Sequence, residues 1–212
     1  MPLQNNRKSK EIKKAIKFLS NNDLKLKRVI DHYGELELKP SEDYFLSLCK
    51  SIIGQQLSKH AARSIFNKFY NKIAYISPID PTCLRNFPDS DLLCIGISRS
   101  KVSYLKEISK AFTERKITND FLNSSSSEEI EKALISIKGI GKWTVDMFLI
   151  FSKNDLDIFP FTDAGVKRGI QILYKRKTSP DEAYLKRISN KWKPFRSIAS
   201  LYLWKLVDDG LP

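Results

Sequence analysis

The stretch Leu134-Ile-Ser-Ile-Lys-Gly-Ile-Gly-Lys-Trp-Thr-Val-Asp-Met147 decides how this chain is read. An apolar stripe of helical spacing, Ile130, Ala133, Leu134 and Ile137, runs out just before Gly139. Gly139 and Gly141 bracket a single apolar residue, Ile140. A second stripe, Val145, Phe148 and Leu149, follows a helix start at about Lys142. Gly-x-Gly between two helices permits positive φ and turns main-chain N–H groups outward at a helix N-terminus. Such a turn is a nest for a phosphate, and the helix dipole favours an anion there. Ile140 is expected to plug the turn into the core. Taken alone, Gly-Ile-Gly also fits an ordinary helix–helix turn with a glycine C-cap.

Outward from the hairpin the pattern stays helical. Tyr44, Phe45, Leu48, Ile52 and Ile53 share a stripe, as do Ala61, Ala62, Ile65, Phe66 and Phe69, and Val102, Leu105, Ile108, Ala111 and Phe112. Ser126 with Glu129 predicts a capping box that opens the helix leading to the hairpin. Further helices are expected near Asp163, near Pro180 and from about Pro194 to Val207. The loops are short, there is no internal repeat, and the serine run at 124–127 is a cap and turn rather than a linker.

The chain has 212 residues, enough for one ordinary domain or two small lobes. Its hydrophobic fraction of 42% argues against disorder. No apolar run approaches the roughly 18 residues of a membrane span. Met1–Lys17 is polar and basic with no apolar h-region, so secretion is not expected. Cys49, Cys83 and Cys94 are widely spaced and odd in number, which argues against a disulfide framework, and no Cys/His cluster has zinc or iron–sulfur spacing. With His32 and His60 as the only histidines, a His-based metal site is nearly excluded, and no cofactor is expected. Lys and Arg number 37 against 24 Asp and Glu, a net +13, which favours phosphate-rich partners through counterion release.

The hairpin segment resembles the helix–hairpin–helix motif of DNA repair proteins. Three further segments extend the likeness. Phe159-Pro-Phe-Thr-Asp163 is a Pro-containing loop ending in an Asp that opens a helix. It is similar to the GPD part of the helix–hairpin–helix (HhH-GPD) DNA glycosylase superfamily. Leu48-Cys-Lys-Ser-Ile-Ile-Gly-Gln-Gln-Leu-Ser58 is similar to the helix–loop by which that family enters DNA. Trp192-Lys-Pro-Phe-Arg-Ser197 followed by Trp204 is similar to the C-terminal helix of its alkylation-repair branch, of the 3-methyladenine DNA glycosylase II type. The likeness spans roughly residues 20–210. The four-cysteine cluster of the endonuclease III branch is absent. Bifunctional branches carry a Lys nucleophile two residues after the second hairpin glycine, where this chain has Trp143. The adjacent Lys142 is turned about 100° away on a helix.

The resemblance implies an all-α, two-lobed fold with the active site in the interlobe cleft. One lobe would be residues 42–137. The other would be 1–41 plus 142–212, with the hairpin, 138–141, between them. It implies a monofunctional glycosylase that hydrolyses the bond between an alkylated purine and its sugar, acting as a monomer on double-stranded DNA with the damaged base flipped out. Asp163 would stabilise the oxocarbenium character that develops at C1′, or orient the attacking water; it also reads as a plain N-cap. Trp143, Trp204 and Met147 would line the base pocket, where an electron-rich face attracts a cationic base. Gln56 would be the wedge that fills the vacated stack, with Leu57 and Gln55 as alternatives. Gly139, Gly141, Lys142 and Thr144 at the hairpin, with Ser58 and Lys59 at a second helix start, would hold phosphates. In the family the hairpin often binds a monovalent cation through backbone carbonyls, on which the side chains here have no bearing. Such a protein belongs in the nucleoid of a prokaryote or the nucleus of a eukaryote. Two rivals remain at this level: a non-enzymatic helix–hairpin–helix DNA-binding protein, and a glycosylase for deaminated or oxidised bases.

Overall fold

The structure is a computed structural model that describes residues 2–36, 41, 43–75 and 78–210, with only the backbone described at 2–9 and 59. Among the described residues there are helices and no strands, as the stripes predict. No described helix is long and apolar enough to cross a membrane. The chain divides into two compact units, Met1–Lys39 with Asn154–Pro212, and Pro40–Lys153.

The discontinuous unit opens with α1 (Pro2–Asn22) and α2 (Leu24–Tyr33). The continuous unit holds α3 (Tyr44–Gly54), α4 (Lys59–Ala74), α5 (Pro81–Asn86), α6 (Asp89–Cys94), α7 (Arg99–Thr113), α8 (Asn119–Ser124), α9 (Ser127–Ile135) and α10 (Lys142–Phe148). A π-helical turn, Leu149–Lys153, closes that unit. The chain then completes the first unit with α11 (Ala164–Leu173), α12 (Glu182–Asn190) and α13 (Arg196–Asp209).

The helix starts follow local chemistry. Ser126 accepts from the Glu129 amide while the Glu129 carboxylate accepts from the Ser126 amide, the expected capping box. Asp23, Asp43, Asp80, Ser98 and Asp181 cap their helices in the simpler way. In the discontinuous unit Leu19, Leu26, Val166, Ile170, Trp192 and Leu203 form the core. Asp23 is buried there: besides capping α2 it accepts from Trp192 Nε1 at 3.0 Å and from the Tyr174 hydroxyl. In the continuous unit Phe45, Leu48, Leu105, Leu134 and Phe148 are buried, and Ile140 joins them at 4% exposure, which plugs the hairpin as expected.

The lobe boundary differs from the sequence expectation. The hairpin and everything through Lys153 belong with the middle of the chain, not between lobes or with the C-terminal helices. The reason is that α10 packs on both α3 and α9. Val145, Met147, Phe148, Leu149 and Ile150 are all buried, together with the polar Thr144 and Asp146, so residues 144–150 have no exposed face to separate them from their neighbours.

Candidate functional site

In the continuous unit the hairpin uses its two glycines differently. Gly139 has φ +93, and a Cβ there would stand 2.1 Å from Tyr104 Cγ. Gly141 has φ −103, is the N-cap of α10, and would meet nothing within 4 Å. Only the first glycine is required by the fold. The second lies open at the helix N-terminus, where free main-chain donors collect. Of the turn's carbonyls, Ile137 O accepts from the Ile140 amide, and Gly139 O from Gln55 Nε2 at 3.0 Å.

Two expected phosphate contacts are corrected. Lys142 Nζ lies 2.7 Å from Glu131 and 2.9 Å from Asp146, so its charge is matched within the protein. Burial works to lower its pKa, but hydrogen bonds to Glu131 and Asp146 outweigh that and the net shift is upward. Asp146 itself is buried at 1% exposure in this pair, one turn along α10. Thr144 is also buried, and its Oγ1 accepts from Gln55 Nε2 at 3.0 Å. Trp143 is half-buried on the first turn of α10, whereas Met147 is a core residue at 8% exposure.

The turn Gly54–Leu57 is closed by Leu57 N–H to Gly54 O at 3.2 Å. Gln55 lies at φ −53, ψ 132 and Gln56 at φ +57, the pattern of a type II turn with a glutamine where glycine is preferred. Gln56 is exposed, and so is Leu57. Gln55 is not a wedge, because its amide is committed to the hairpin. Ser58 caps α4 through the Ala61 amide, as expected. The Lys59 side chain lies outside the described residues.

In the discontinuous unit Asp163 is both an N-cap and a buried carboxylate, 8% exposed. Its Oδ1 accepts from the Val166 amide at 2.7 Å and from Trp204 Nε1 at 2.8 Å. Two donors on different helices thus fix its direction. Two glycines of α11, not among the residues expected at the site, allow this. A Cβ at Gly165 would stand 2.8 Å from Trp204 Cδ1, and one at Gly169 would stand 2.8 Å from the Leu203 carbonyl. The two glycines are four apart, on one face of α11, and let α13 approach it closely. Their spacing was the available signal. The loop before Asp163 is tied to the same helix: Arg196 holds Asp157 through Nε–Oδ1 at 2.7 Å and Nη2–Oδ2 at 3.0 Å. Ser197 Oγ accepts from the Ile158 amide at 2.9 Å. Asp157 therefore braces the loop against α13. Trp192 is fully buried core. Among the described residues no cluster of three or more His, Cys, Asp or Glu is placed to hold a metal.

Comparison with known proteins bears on this arrangement. The family model of HhH-GPD superfamily base excision DNA repair proteins matches residues 49–195. The chain is 31% identical over 188 residues to DNA-3-methyladenine glycosylase 1 of Schizosaccharomyces pombe, spanning 88% of this chain and 82% of that one. The solved structure of the S. pombe 3-methyladenine DNA glycosylase in complex with abasic DNA matches with a TM-score of 0.87 at 32% identity, over 92% of this chain and 97% of that chain. A DNA-3-methyladenine glycosidase structure from Bacillus halodurans matches with a TM-score of 0.78 at 29% identity, over 92% and 89%.

Proposed function

The chain belongs to the HhH-GPD superfamily of base excision DNA repair proteins, and from that premise we propose that it is a monofunctional glycosylase releasing alkylated purines from duplex DNA. The observation that carries the reading is Asp163: a buried carboxylate held by a main-chain amide and an indole N–H. A DNA-binding module needs no such group. The named relatives, DNA-3-methyladenine glycosylases, support the alkylated substrate.

The target base is stacked in the duplex and must be extruded first. Gly141 and the α10 N-terminus take a backbone phosphate, and Gln56 fills the vacated stack. The aromatic face of Trp204, whose indole N–H holds Asp163, is assigned to the extruded base. An N3- or N7-alkylated purine is cationic, and an aromatic face holds such a base with roughly 0.5–2 kcal/mol beyond stacking. Its charge already weakens the glycosidic bond. As that bond breaks, the electron pair leaves with the base, which becomes neutral, and positive charge passes to the sugar. Asp163 stabilises that charge or orients the water that adds to C1′.

Water is the nucleophile in this reading because the hairpin offers no lysine poised to attack among the described residues. Trp143 occupies the place where bifunctional branches keep a lysine. The neighbouring Lys142 is held as an ammonium between two carboxylates, its pKa raised. The product is an intact strand with an abasic site.

Multiple-turnover release of free base from methylated duplex DNA tests the proposal. Release of 3-methyladenine or 7-methylguanine is expected. Tight binding without release would leave only a DNA-binding protein. Faster release of 8-oxoguanine would move the substrate assignment, and a borohydride-trapped adduct as an obligatory intermediate would overturn the monofunctional mechanism.

A further inference from the structure

Gln55 is gripped from two directions. Its side-chain Nε2 lies 3.0 Å from Gly139 O and 3.0 Å from Thr144 Oγ1, one on each side of the hairpin's second glycine. Its own carbonyl accepts from Lys101 Nζ at 2.7 Å, and the same ammonium takes Ile53 O at 2.9 Å. Lys101 sits in the first turn of α7, where Ser98 caps the helix through the Lys101 amide. A cation on the last carbonyls of α3 answers the negative end of that helix. The next residue, Gln56, is exposed and held at φ +57.

An exposed turn with a non-glycine residue at positive φ is strained and would otherwise relax among conformers. A mobile side chain loses rotamer and backbone freedom when it enters a duplex, whereas a prearranged one has already lost it. The two clamps supply that prearrangement. Burial lowers the pKa of Lys101, in keeping with an ammonium drawn out of water to serve main-chain oxygens.

We propose that Gln55 and Lys101 are positioning residues for DNA opening, locking the Gln56 turn to the phosphate-binding hairpin so that seating the hairpin on the backbone sets where Gln56 enters the stack. The inference rests on the glycosylase reading and on Gln56 as the wedge. It makes two motifs far apart in sequence one gripping element, and it gives Gln55 a role distinct from the wedge itself.

Because these residues act through Gln56, their losses should not add to its loss. The variants are Gln55→Met, which keeps length but has no donor, Lys101→Met, and Lys101→Arg, which restores donors. Three quantities are read: affinity for undamaged duplex, extrusion in a duplex carrying a non-hydrolysable alkylated-base analogue beside 2-aminopurine, and amide hydrogen exchange at Gln55–Leu57 in the free protein. Gln55→Met and Lys101→Met should each weaken extrusion about tenfold with undamaged-duplex affinity within about twofold. In a Gln56→Ala background the same changes should cost less than about twofold more. Exchange at the turn should quicken in both, and Lys101→Arg should recover most of the extrusion. Full additivity with Gln56→Ala, equal loss on undamaged duplex, or unchanged exchange and extrusion would each overturn the proposal. If Lys101→Met does not fold, the Gln55→Met cycle decides alone. Wild-type protein that extrudes and releases base while Gln55→Met matches it defeats this inference only; wild-type protein that releases no base defeats the glycosylase reading.

Discussion

The continuous unit and the discontinuous unit each depend on glycines, for opposite reasons. At the hairpin, Gly141 leaves main chain bare toward solvent, with nothing of the protein within reach of a Cβ. On α11, Gly165 and Gly169 leave room for the protein itself, so that α13 comes close enough for Trp204 to hydrogen-bond Asp163. The continuous unit presents backbone and an exposed turn; the discontinuous unit builds a fixed buried carboxylate. Binding and chemistry should therefore separate by unit, and substitutions can break that separation.

The largest effect is expected at Asp163. Asp163→Asn keeps an Oδ1 able to accept from the Val166 amide and the Trp204 indole, so the cap and the fold should survive. Loss of the charge should slow single-turnover excision by about 10²–10³-fold, the scale of removing one electrostatic stabiliser, with duplex affinity retained. A near wild-type rate would remove the carboxylate from the mechanism and the contrast with it.

Next are the two hairpin glycines. Gly139→Ala puts a Cβ into the Tyr104 ring at φ +93 and should cost about 2–4 kcal/mol, read as a lower Tm. Gly141→Ser should hold or slightly raise stability, since Ser caps a helix at least as well as Gly. On the proposed phosphate role it should still weaken binding to every duplex sequence alike, because a main-chain contact to phosphate reads no base edge. Unchanged affinity in Gly141→Ser, or a sequence-selective loss, would contradict the phosphate role.

Gly165→Ala sharpens the other half. Its Cβ would fall 2.8 Å from Trp204 Cδ1 and 3.1 Å from Asp163 Oδ1. The indole must shift, with a stability loss of about 1–3 kcal/mol. Excision should fall by about tenfold with duplex affinity unchanged, equivalent to one weakened hydrogen bond in the transition state. A loss confined to binding would place α11 on the wrong side of the comparison.

The smallest effect concerns strain. Gln56→Gly removes a non-glycine residue from φ +57 and should raise stability by about 0.5 kcal/mol while weakening base extrusion. A variant that is more stable and extrudes equally well would show that the strained turn carries no wedge.

Much of this was legible along the chain. The Ser126–Glu129 box, the helix start at Asp163, the plug at Ile140 and the Gly-x-Gly turn all rest on hydrogen bonds and dihedral preferences spanning a few residues, which the local sequence controls. That Trp143 stands where bifunctional branches keep a lysine was legible only through the resemblance to the family. The roles of Gln55, Thr144 and Lys142 could not. Two exposed-looking amides at 55 and 56 are equivalent in sequence, and only the arrival of the hairpin 84 residues later makes one a brace and leaves the other at the tip. Lys142 reads as a phosphate ligand until α9 and α10 bring Glu131 and a buried Asp146 onto it. Likewise Asp163 is an N-cap by sequence, and it becomes a directed carboxylate because α13 lies against Gly165 and brings Trp204, 41 residues after Asp163, within hydrogen-bond reach. Period and capping act over one helical turn and belong to the sequence. The partners of a polar group are whatever packing places within 3 Å of it, and that was decided by the tertiary structure alone.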